Sequence, residues 1–450
     1  MKFLLPLLVL LLSVAAAPYQ HKRASTVTKP SEDPFYTPPT GYESQPVGTI
    51  LKSRKIDNPV GFVVIAEKLK ASYQFIVRSE DTFGNAIAIA TSLYIPVNAD
   101  PSKLLSYQVA EDSANLNCAP SYSFQLGSDV ETYASGQIEQ IFTQAGLAEG
   151  WYVVVPDYEG PNAAFGAAHL AGKSVLNSVR AILSSGNITG IDSDASVSFW
   201  GYSGGSLATG WTSLLEPTYA PELSSQVVGY AYGGIVADLD NVARFNMGKW
   251  SAGFIFAAIN GLAHEYPTIN TFIEENIYSS MFAKFTDVDQ ICESIYIFEY
   301  AFNTWTEYFE AGEAILDDPI VYNVTSQLNM SISGLVPTAP LYFYNAKFDE
   351  IIPAADADTL YSTLCKEGVS IEYHQDLLGG HLIDMYTGCD AAFSWLKDRM
   401  NGKAATTGCV KKTSLTSVFT KAGLTGFSDI ISAALWNVFV EFGSSYETFF

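Results

Sequence analysis

The stretch that decides the fold runs from Val197 to Gly205 and has the sequence VSFWGYSGG. Its apolar first half, which ends at Trp200, is typical of a buried strand, and a helical pattern begins near Ser206. Between them the pattern G-x-S-x-G centres on Ser203. A serine in this context is expected on a tight turn with strained backbone angles, its hydroxyl above the carboxyl edge of a sheet. The stretch therefore predicts a nucleophilic serine, and a plain glycine-rich turn is the alternative.

A serine hydroxyl needs a general base, and the base needs a carboxylate to orient it. His381 follows two glycines late in the chain, in a predicted loop after a strand, where the order Ser–Asp–His places the base. The carboxylate is expected behind the strand-like run 341–344, where Asp349 is the candidate and Glu350 is its rival. The other histidines lie near the N-terminus, in helical patterns or in a strand: His21, His169, His264 and His374.

The oxyanion that forms during acyl transfer needs two backbone N–H donors. One is expected from Gly204, directly after the nucleophile, and the other from the loop after the strand-like run 104–109. That loop, residues 110–113, has the sequence AEDS and lacks the glycines of many esterase loops. Asp112 is the candidate for the second donor.

Outward from this turn, strand-like and helix-like stretches alternate. This alternation predicts an α/β fold with a mostly parallel central sheet flanked by helices. Two earlier runs, 73–77 and 86–97, join through a Gly-Asn turn and predict an antiparallel pair at a sheet edge. The other predicted strands are 104–109, 151–155, 197–200, 227–232, 341–344 and 370–374, and the predicted helices are 130–145, 167–183 and 206–215.

The alternation stops in the third quarter of the chain. A block dense in Phe, Tyr, Ile and Ala follows, and we interpret residues 233–335 as an inserted helical cap. The core is then made of residues 24–232 and 336–450, and the apolar, aromatic tail, 414–450, is expected to be packed rather than exposed. The helix-like stretches of the block are 241–260, 269–285 and 291–316.

Composition excludes several classes of protein. The chain has 450 residues, 48% of them hydrophobic and 13% aromatic, which suffices for a large core and excludes general disorder. With 24 Lys and Arg against 47 Asp and Glu, the formal net charge of −23 disfavours nucleic acids and anionic substrates as partners. No His/Cys cluster has zinc-site spacing, so we expect neither a metal nor a cofactor.

The N-terminus predicts export. Residues 1–17 have a positive start, an apolar run and small residues at the end, as a signal peptide does. A dibasic pair at 22–23 suggests a short propeptide over 18–23. No other run is long enough for a transmembrane anchor, so the predicted product is secreted and extracellular. The glycosylation sequons begin at Asn187, Asn323 and Asn329.

Five cysteines in an oxidising compartment allow up to two disulfides and leave one thiol. The sequence alone does not fix their pairing. They are Cys118, Cys292, Cys365, Cys389 and Cys409.

Several patterns accompany the serine motif in order along the chain. They are Tyr107-Gln108, Glu111-Asp112, the sequence CAPSY at 118–122, the sequence PDYEGP at 156–161, and Gly380-His381. With them the chain resembles the secreted yeast lipases of the Candida type, the group similar to Candida antarctica lipase A, over about residues 34–410. The resemblance implies an α/β-hydrolase fold with a helical cap and the hydrolysis of triacylglycerols to fatty acids.

The resemblance also implies roles for individual residues. It assigns the nucleophile, acid and base to Ser203, Asp349 and His381, and the oxyanion donors to Asp112 and Gly204. It further implies the disulfides Cys118–Cys292 and Cys365–Cys409, with Cys389 free.

Other functions remain open at this point. The expected partner is a lipid ester at an oil–water or membrane interface, bound by a monomer. A carboxylesterase or acyltransferase acting on smaller esters would use the same chemistry, and so would a serine peptidase on the same fold. A peptidase is disfavoured because it needs a pocket for a charged or extended chain, which an apolar cap does not offer. A non-catalytic binding protein is disfavoured by the intact serine, acid and histidine.

Overall fold

The computed structural model describes residues 27–62, 65–132 and 136–417. The predicted signal peptide and propeptide, and the tail after residue 417, lie outside the described residues. Within the described ranges, no helix is both long enough and apolar enough to cross a bilayer.

The central feature is a large, mostly parallel sheet, which confirms the predicted fold class. The strands are β1 Ile50–Lys55, β2 Gly61–Phe62, β3 Ile65–Ala66, β4 Leu69–Glu80, β5 Ala86–Pro96, β6 Asp100–Gln108, β7 Trp151–Pro156, β8 Ser196–Tyr202, β9 Val227–Gly233, β10 Leu341–Ala346, β11 Ile371–Asp376 and β12 Cys409–Ser414. Ten of them form one sheet in the order β1-β4-β5-β7-β6-β8-β9-β10-β11-β12, and β2 pairs only with β3. The pairs from β7 to β12 are parallel, and the first three pairs are antiparallel.

The central strands are buried on both faces because helices cover both. β7 and β10 are buried at all six of their positions, as expected for parallel strands between two helical layers. One apolar core includes the helices Ala168–Leu183 and Gly204–Tyr219 and continues into the cap. A second core, on the other face, includes Gln140–Ala148 and His381–Met400. The remaining helices of the core region are Pro120–Ser123, Gly186–Thr189 and Ala354–Lys366.

The two edges of the sheet differ from the sequence-based expectation. β4 and β5 pair antiparallel as predicted, with Phe75 opposite Thr91, but they are not at the edge, because β1 pairs outside β4. At the opposite edge lies β12, which was also not predicted. Both edge strands carry lysines, in the sequences ILKSRK and CVKKTS, and charged side chains are common on edge strands. They therefore lack the continuous apolar run by which a buried strand is recognised.

Between β9 and β10 the chain is helical, but in shorter helices than predicted. They are Leu239–Asn246, Ala252–Glu265, Pro267–Asn276, Phe282–Thr286, Glu293–Glu299, Trp305–Tyr308 and Pro319–Gln327. The breaks have local causes: Gly248 takes a left-handed φ of 80°, and Pro267 begins a new helix. The predicted helix 130–145 is also shorter, since its α-helical part begins only at Gln140.

Two disulfides are present, with the pairing that the resemblance implied. Cys118–Cys292 joins the core to the inserted block, and Cys365–Cys409 joins a core helix to the start of β12. Cys389 is unpaired and buried.

The three sequons differ in accessibility. Asn187 and Asn323 are exposed. Asn329 is half-buried, and its side-chain amide donates a 2.6 Å hydrogen bond to Asp238. The structure therefore disfavours a glycan on Asn329, because the glycan would have to fit at a half-buried nitrogen that contacts Asp238.

Candidate active site

Ser203 lies on a sharp turn between β8 and the helix Gly204–Tyr219. Its φ of 53° and ψ of −123° are unfavourable for a residue with a side chain. A Cβ atom on Gly201 would lie 2.3 Å from the Gly205 carbonyl oxygen, and one on Gly205 would lie 2.1 Å from the Gln108 carbonyl oxygen. Both flanking positions thus require glycine, and the turn has the geometry that the motif predicted.

A series of hydrogen bonds links Ser203, His381 and Asp349. The Nε2 atom of His381 lies 2.8 Å from Ser203 Oγ, and its Nδ1 atom lies 2.7 Å from Asp349 Oδ2. His381 is only 2% exposed and Asp349 only 7%. In this arrangement a histidine can take the serine proton while the carboxylate holds the imidazole in the required tautomer.

His381 begins the helix His381–Met400, whereas the sequence predicted it in a loop. The loop ends one residue earlier, at Gly380. The helix orients the imidazole because its first turn is anchored: the phenol of Tyr202 donates a 2.8 Å hydrogen bond to the His381 carbonyl oxygen. The Tyr202 ring also packs on the imidazole, with ring centroids 5.0 Å apart.

The neighbouring acids Asp349 and Glu350 make different contacts. Asp349 Oδ1 accepts hydrogen bonds from the backbone N–H groups of Ile351 and Ile352, which leaves Oδ2 for His381. Glu350 Oε2 instead accepts the backbone N–H of His381 at 2.8 Å. Asp349 is therefore the carboxylate on the imidazole, and Glu350 holds the backbone of the same histidine.

The electrostatics of His381 balance two effects. Burial is the largest effect and lowers its pKa, but the charges of Asp349, Glu350 and Asp112 and the hydrogen bond to Asp349 together raise it by more, so that the net shift of the pKa is upward. The imidazole is thus prepared to accept a proton from Ser203 next to a fixed negative charge.

Asp112 lies beside Ser203, on the loop after β6. A Cβ atom on Gly204 would lie 1.7 Å from Asp112 Oδ1, so the carboxyl group packs directly against Gly204. Burial raises the pKa of Asp112 to about 7, although the nearby His381 opposes this shift. Gly204 is the first residue of its helix, and its N–H therefore has no partner within that helix. The two predicted oxyanion donors are neighbours in the structure.

The loop 109–113 is surrounded by buried carboxyl groups. Burial raises the pKa of Glu139 to about 8 and that of Asp157 to about 7. The pKa values of Glu111 and Glu159 are also raised, first by burial and then by neighbouring carboxyl groups. These groups favour the neutral form at acidic pH.

An apolar cavity extends from Ser203 into the cap. Its lining includes Ser203, Gly204 and Asp112, and among its other described lining residues Thr325 is the one that is polar. The rest of the lining is aliphatic or aromatic and comes mainly from the cap, including Leu239, Val242, Phe254, Ile255, Ala258, Ile269, Phe272, Ile273, Phe309, Ile315, Leu316 and Val321.

The other described histidines have packing roles. His169 contacts Trp211, His374 contacts Tyr342, and His264 pairs with Asp289 within the cap. Across residues 27–62, 65–132 and 136–417, no group of three or more His, Cys, Asp or Glu side chains is arranged to hold a metal ion.

Comparison with known protein families agrees with this geometry. The family model described as secretory lipase matches residues 124–408, which is more than half of the chain. The chain belongs to the secretory lipase family. As a member of this family, it is a serine ester hydrolase.

Curated relatives of this secretory lipase cover most of its length. Lipase 2 of Candida albicans is 42% identical over 401 residues, which are 87% of this chain and 85% of the relative. Lipase A of Arthroderma benhamiae is 38% identical over 415 residues, covering 91% and 88% of the two chains.

Solved structures are also similar. Candida antarctica lipase A in its closed state has a TM-score of 0.81 and 27% identity, covering 91% of this chain and 95% of that one. A rice cell wall degrading esterase from Xanthomonas oryzae, with 14% identity and a TM-score of 0.60, shares the fold alone. The predicted resemblance and the α/β-hydrolase fold are thus confirmed.

Some residues at the site of this secretory lipase were not predicted from its sequence. Tyr202 lies inside the G-x-S-x-G motif, so its position next to the histidine could have been considered. Glu350 was considered only as a rival to Asp349. Tyr296, whose phenol donates a hydrogen bond to the Asp112 carbonyl oxygen, lies 184 positions from Asp112. Its only sequence signal is its place four residues after Cys292.

Proposed function

We propose that this lipase hydrolyses triacylglycerols through an acyl-enzyme formed on Ser203. Ser203 Oγ attacks the ester carbonyl carbon while His381 Nε2 takes its proton, and Asp349 holds the Nδ1 side of the ring. The negative charge on the carbonyl oxygen is stabilised by the backbone N–H groups of Asp112 and Gly204. When the ester bond breaks, His381 returns the proton to the departing glycerol oxygen. A water molecule, activated by His381, then releases the fatty acid.

The apolar cavity that adjoins Ser203 is the observation that supports a lipid substrate. Apart from Ser203, Gly204 and Asp112, its described lining has one polar residue, Thr325, and is otherwise suited to an alkyl chain. Each buried methylene contributes about 0.8 kcal/mol, so such a cavity favours long acyl chains over short ones. Apart from Asp112 beside Ser203, its described lining residues include no ionisable side chain that could bind a charged peptide residue, which argues against a peptidase.

We further propose that the protein acts outside the cell. The secretory family, the predicted signal peptide over 1–17 and the two disulfides support export. Glycans are expected on Asn187 and Asn323, the two exposed sequons. We expect the enzyme to act as a monomer on a lipid surface.

The test is hydrolysis of p-nitrophenyl esters from acetate to palmitate, together with a triacylglycerol emulsion. We expect long chains and the emulsion to be preferred, and Ser203→Ala to retain less than about a thousandth of the activity while remaining folded. Preference for acetate with an inert emulsion would instead indicate a small-ester carboxylesterase. Activity in Ser203→Ala would refute the mechanism itself.

A further inference from the structure

Asp112 has a backbone conformation that needs support. Its φ of 46° lies in the left-handed region, which residues with a side chain rarely adopt. It is also only 5% exposed, with its carboxyl group packed on Gly204. Because its N–H is one of the two proposed oxyanion donors, the direction of that N–H depends on a strained residue keeping its conformation.

The core supports the loop on the side that precedes Asp112. The Ala110 N–H donates a 3.0 Å hydrogen bond to Glu139 Oε1. The phenol of Tyr158 donates a 2.6 Å hydrogen bond to the Val109 carbonyl oxygen. These bonds fix the chain as it enters the loop, but neither involves the Asp112 carbonyl group.

The cap supports the loop at Asp112 itself. The phenol of Tyr296 donates a hydrogen bond to the Asp112 carbonyl oxygen. Burial, and then the neighbouring Glu293, raise the pKa of Tyr296 well above its ordinary value, so the phenol remains a neutral donor. With the entry fixed by the core and the Asp112 carbonyl fixed by the cap, the Asp112 N–H lies between two anchors.

Tyr296 is itself held in place. It is fully buried, and a Cβ atom on Gly253 would lie 2.9 Å from its ring, so a neighbouring cap helix packs directly on it. Four residues before it, Cys292 is bonded to Cys118 of the core. The phenol is therefore a fixed group and not a mobile side chain that meets the loop by chance.

We propose that Tyr296 is a positioning residue for acyl transfer: by holding the Asp112 carbonyl group, it keeps the Asp112 N–H aimed at the ester oxygen. The inference rests on the proposed functions of Ser203 and Asp112. It has a further consequence, namely that the oxyanion site is complete only when the segment around Tyr296 is docked on the core. The cap thus contributes to the chemical step as well as to acyl binding.

The test compares Tyr296→Phe with Tyr300→Phe. Tyr300 is a matched control, because it is a buried phenol of the same cap whose hydroxyl donates a 2.5 Å hydrogen bond to a carbonyl group, that of Lys284. With soluble p-nitrophenyl butyrate, we expect Tyr296→Phe to lower kcat about 10- to 100-fold while KM changes less than about threefold, a smaller loss than that of a whole oxyanion donor. Tyr300→Phe should stay within about threefold of the parent in both constants.

A second readout isolates the oxyanion. An alkyl trifluoromethyl ketone adds to Ser203 and forms a tetrahedral oxyanion, whereas a fatty alcohol binds without reaction. In Tyr296→Phe, the Ki of the ketone should rise by about the same factor as kcat falls, and the Ki of the alcohol should not change.

Several outcomes would overturn the inference. Equal kcat values for the two tyrosine variants would do so, and so would an equal rise of both Ki values. The inference would also be overturned if Tyr296→Phe failed to fold while Tyr300→Phe folded, because the phenol would then be needed for folding and not for directing the Asp112 N–H. If Ser203→Ala is inactive, none of these results contradicts the proposed function. An active Ser203→Ala would overturn both the proposed function and the proposed role of Tyr296.

Discussion

Two regions of different character meet at Ser203: the loop 109–113 and the apolar cavity of the cap. The loop side contains a non-glycine residue with positive φ and several buried carboxyl groups. The cavity side is lined almost entirely by carbon. The loop side costs stability, through strain and through burial of polar groups. The cavity side contributes to stability, because the cap buries apolar surface when it packs on the core.

The difference separates two properties of the enzyme. We expect the loop side and the triad to determine the rate of the chemical step and its response to pH. We expect the cavity side to determine which acyl chains bind. Changes on one side are therefore expected to leave the property of the other side intact, and this separation can be tested.

The largest effect is expected within the triad. Asp349→Asn should lower kcat about a thousand-fold or more, because asparagine cannot hold the imidazole as the carboxylate does. Glu350→Gln should stay within about tenfold, since its amide oxygen can still accept the His381 N–H. The kcat values of both variants on p-nitrophenyl butyrate test this prediction. A larger loss in Glu350→Gln than in Asp349→Asn would instead assign the role of the triad acid to Glu350.

A smaller effect, confined to long chains, is expected from filling the cavity. Ala258→Phe places a ring in the cavity and should lower kcat/KM for the palmitate ester about a hundred-fold, since several methylenes lose their burial. The butyrate ester should react within about threefold of the parent rate. Ala283→Phe, at an exposed position of the cap, is the control. An equal loss for both esters in Ala258→Phe would contradict the separation.

An effect of about tenfold is expected from pH. The carboxyl group of Asp112, with a pKa of about 7, is neutral below that pH and negatively charged above it, beside the oxyanion. The value of kcat/KM at pH 8 should therefore be about tenfold lower than deprotonation of His381 alone would give. Asp112→Asn should remove this alkaline fall and keep the acidic one, which belongs to protonation of His381. An unchanged alkaline limb in Asp112→Asn would assign that limb to another group.

The smallest effect is on thermal stability. The pKa values of Asp112, Glu139 and Asp157 are raised to about 7 or 8, far above the roughly 4 of an unfolded chain. Between about pH 4 and pH 8 the folded protein therefore binds more protons than the unfolded one, and the free energy of unfolding falls as pH rises. Melting curves should give a Tm several degrees lower at pH 8 than at pH 5, and Glu139→Gln should flatten this dependence. A Tm that rises with pH would contradict the account.

The residues around Ser203 also differ in how well the sequence predicts them. Ser203 and His381 follow from local patterns, since a strand, a glycine-flanked serine and a helix are adjacent in the chain. The choice between Asp349 and Glu350 does not, because it depends on which carboxylate is held by the N–H groups of Ile351 and Ile352. Strands β1 and β12 were not predicted, because their lysines interrupt the apolar run by which a buried strand is recognised.

Contacts between distant segments were the least predictable. Tyr296 and Asp112 are 184 positions apart, and nothing in the spacing of either indicates the other. The long helices predicted in the cap were wrong for a different reason. The predicted helix 241–260 runs across Gly248, but the backbone takes a left-handed φ of 80° there, one helix ends at Asn246 and the next begins at Ala252.

The Cys118–Cys292 disulfide limits how this enzyme can be rebuilt. A cap that is inserted into the core is connected to it at two points, one at each end. Such a segment is an obvious candidate for exchange between relatives. Here the cap has two further connections to the core. Cys292 forms a disulfide with Cys118, and the phenol of Tyr296 donates a hydrogen bond to the Asp112 carbonyl oxygen. A chimaera that takes the cap of a relative for its chain-length preference must therefore also take the matching partner of Cys292 and a loop that fits the incoming phenol. Without them, the exchange would alter the rate of acyl transfer along with the selectivity it was meant to change.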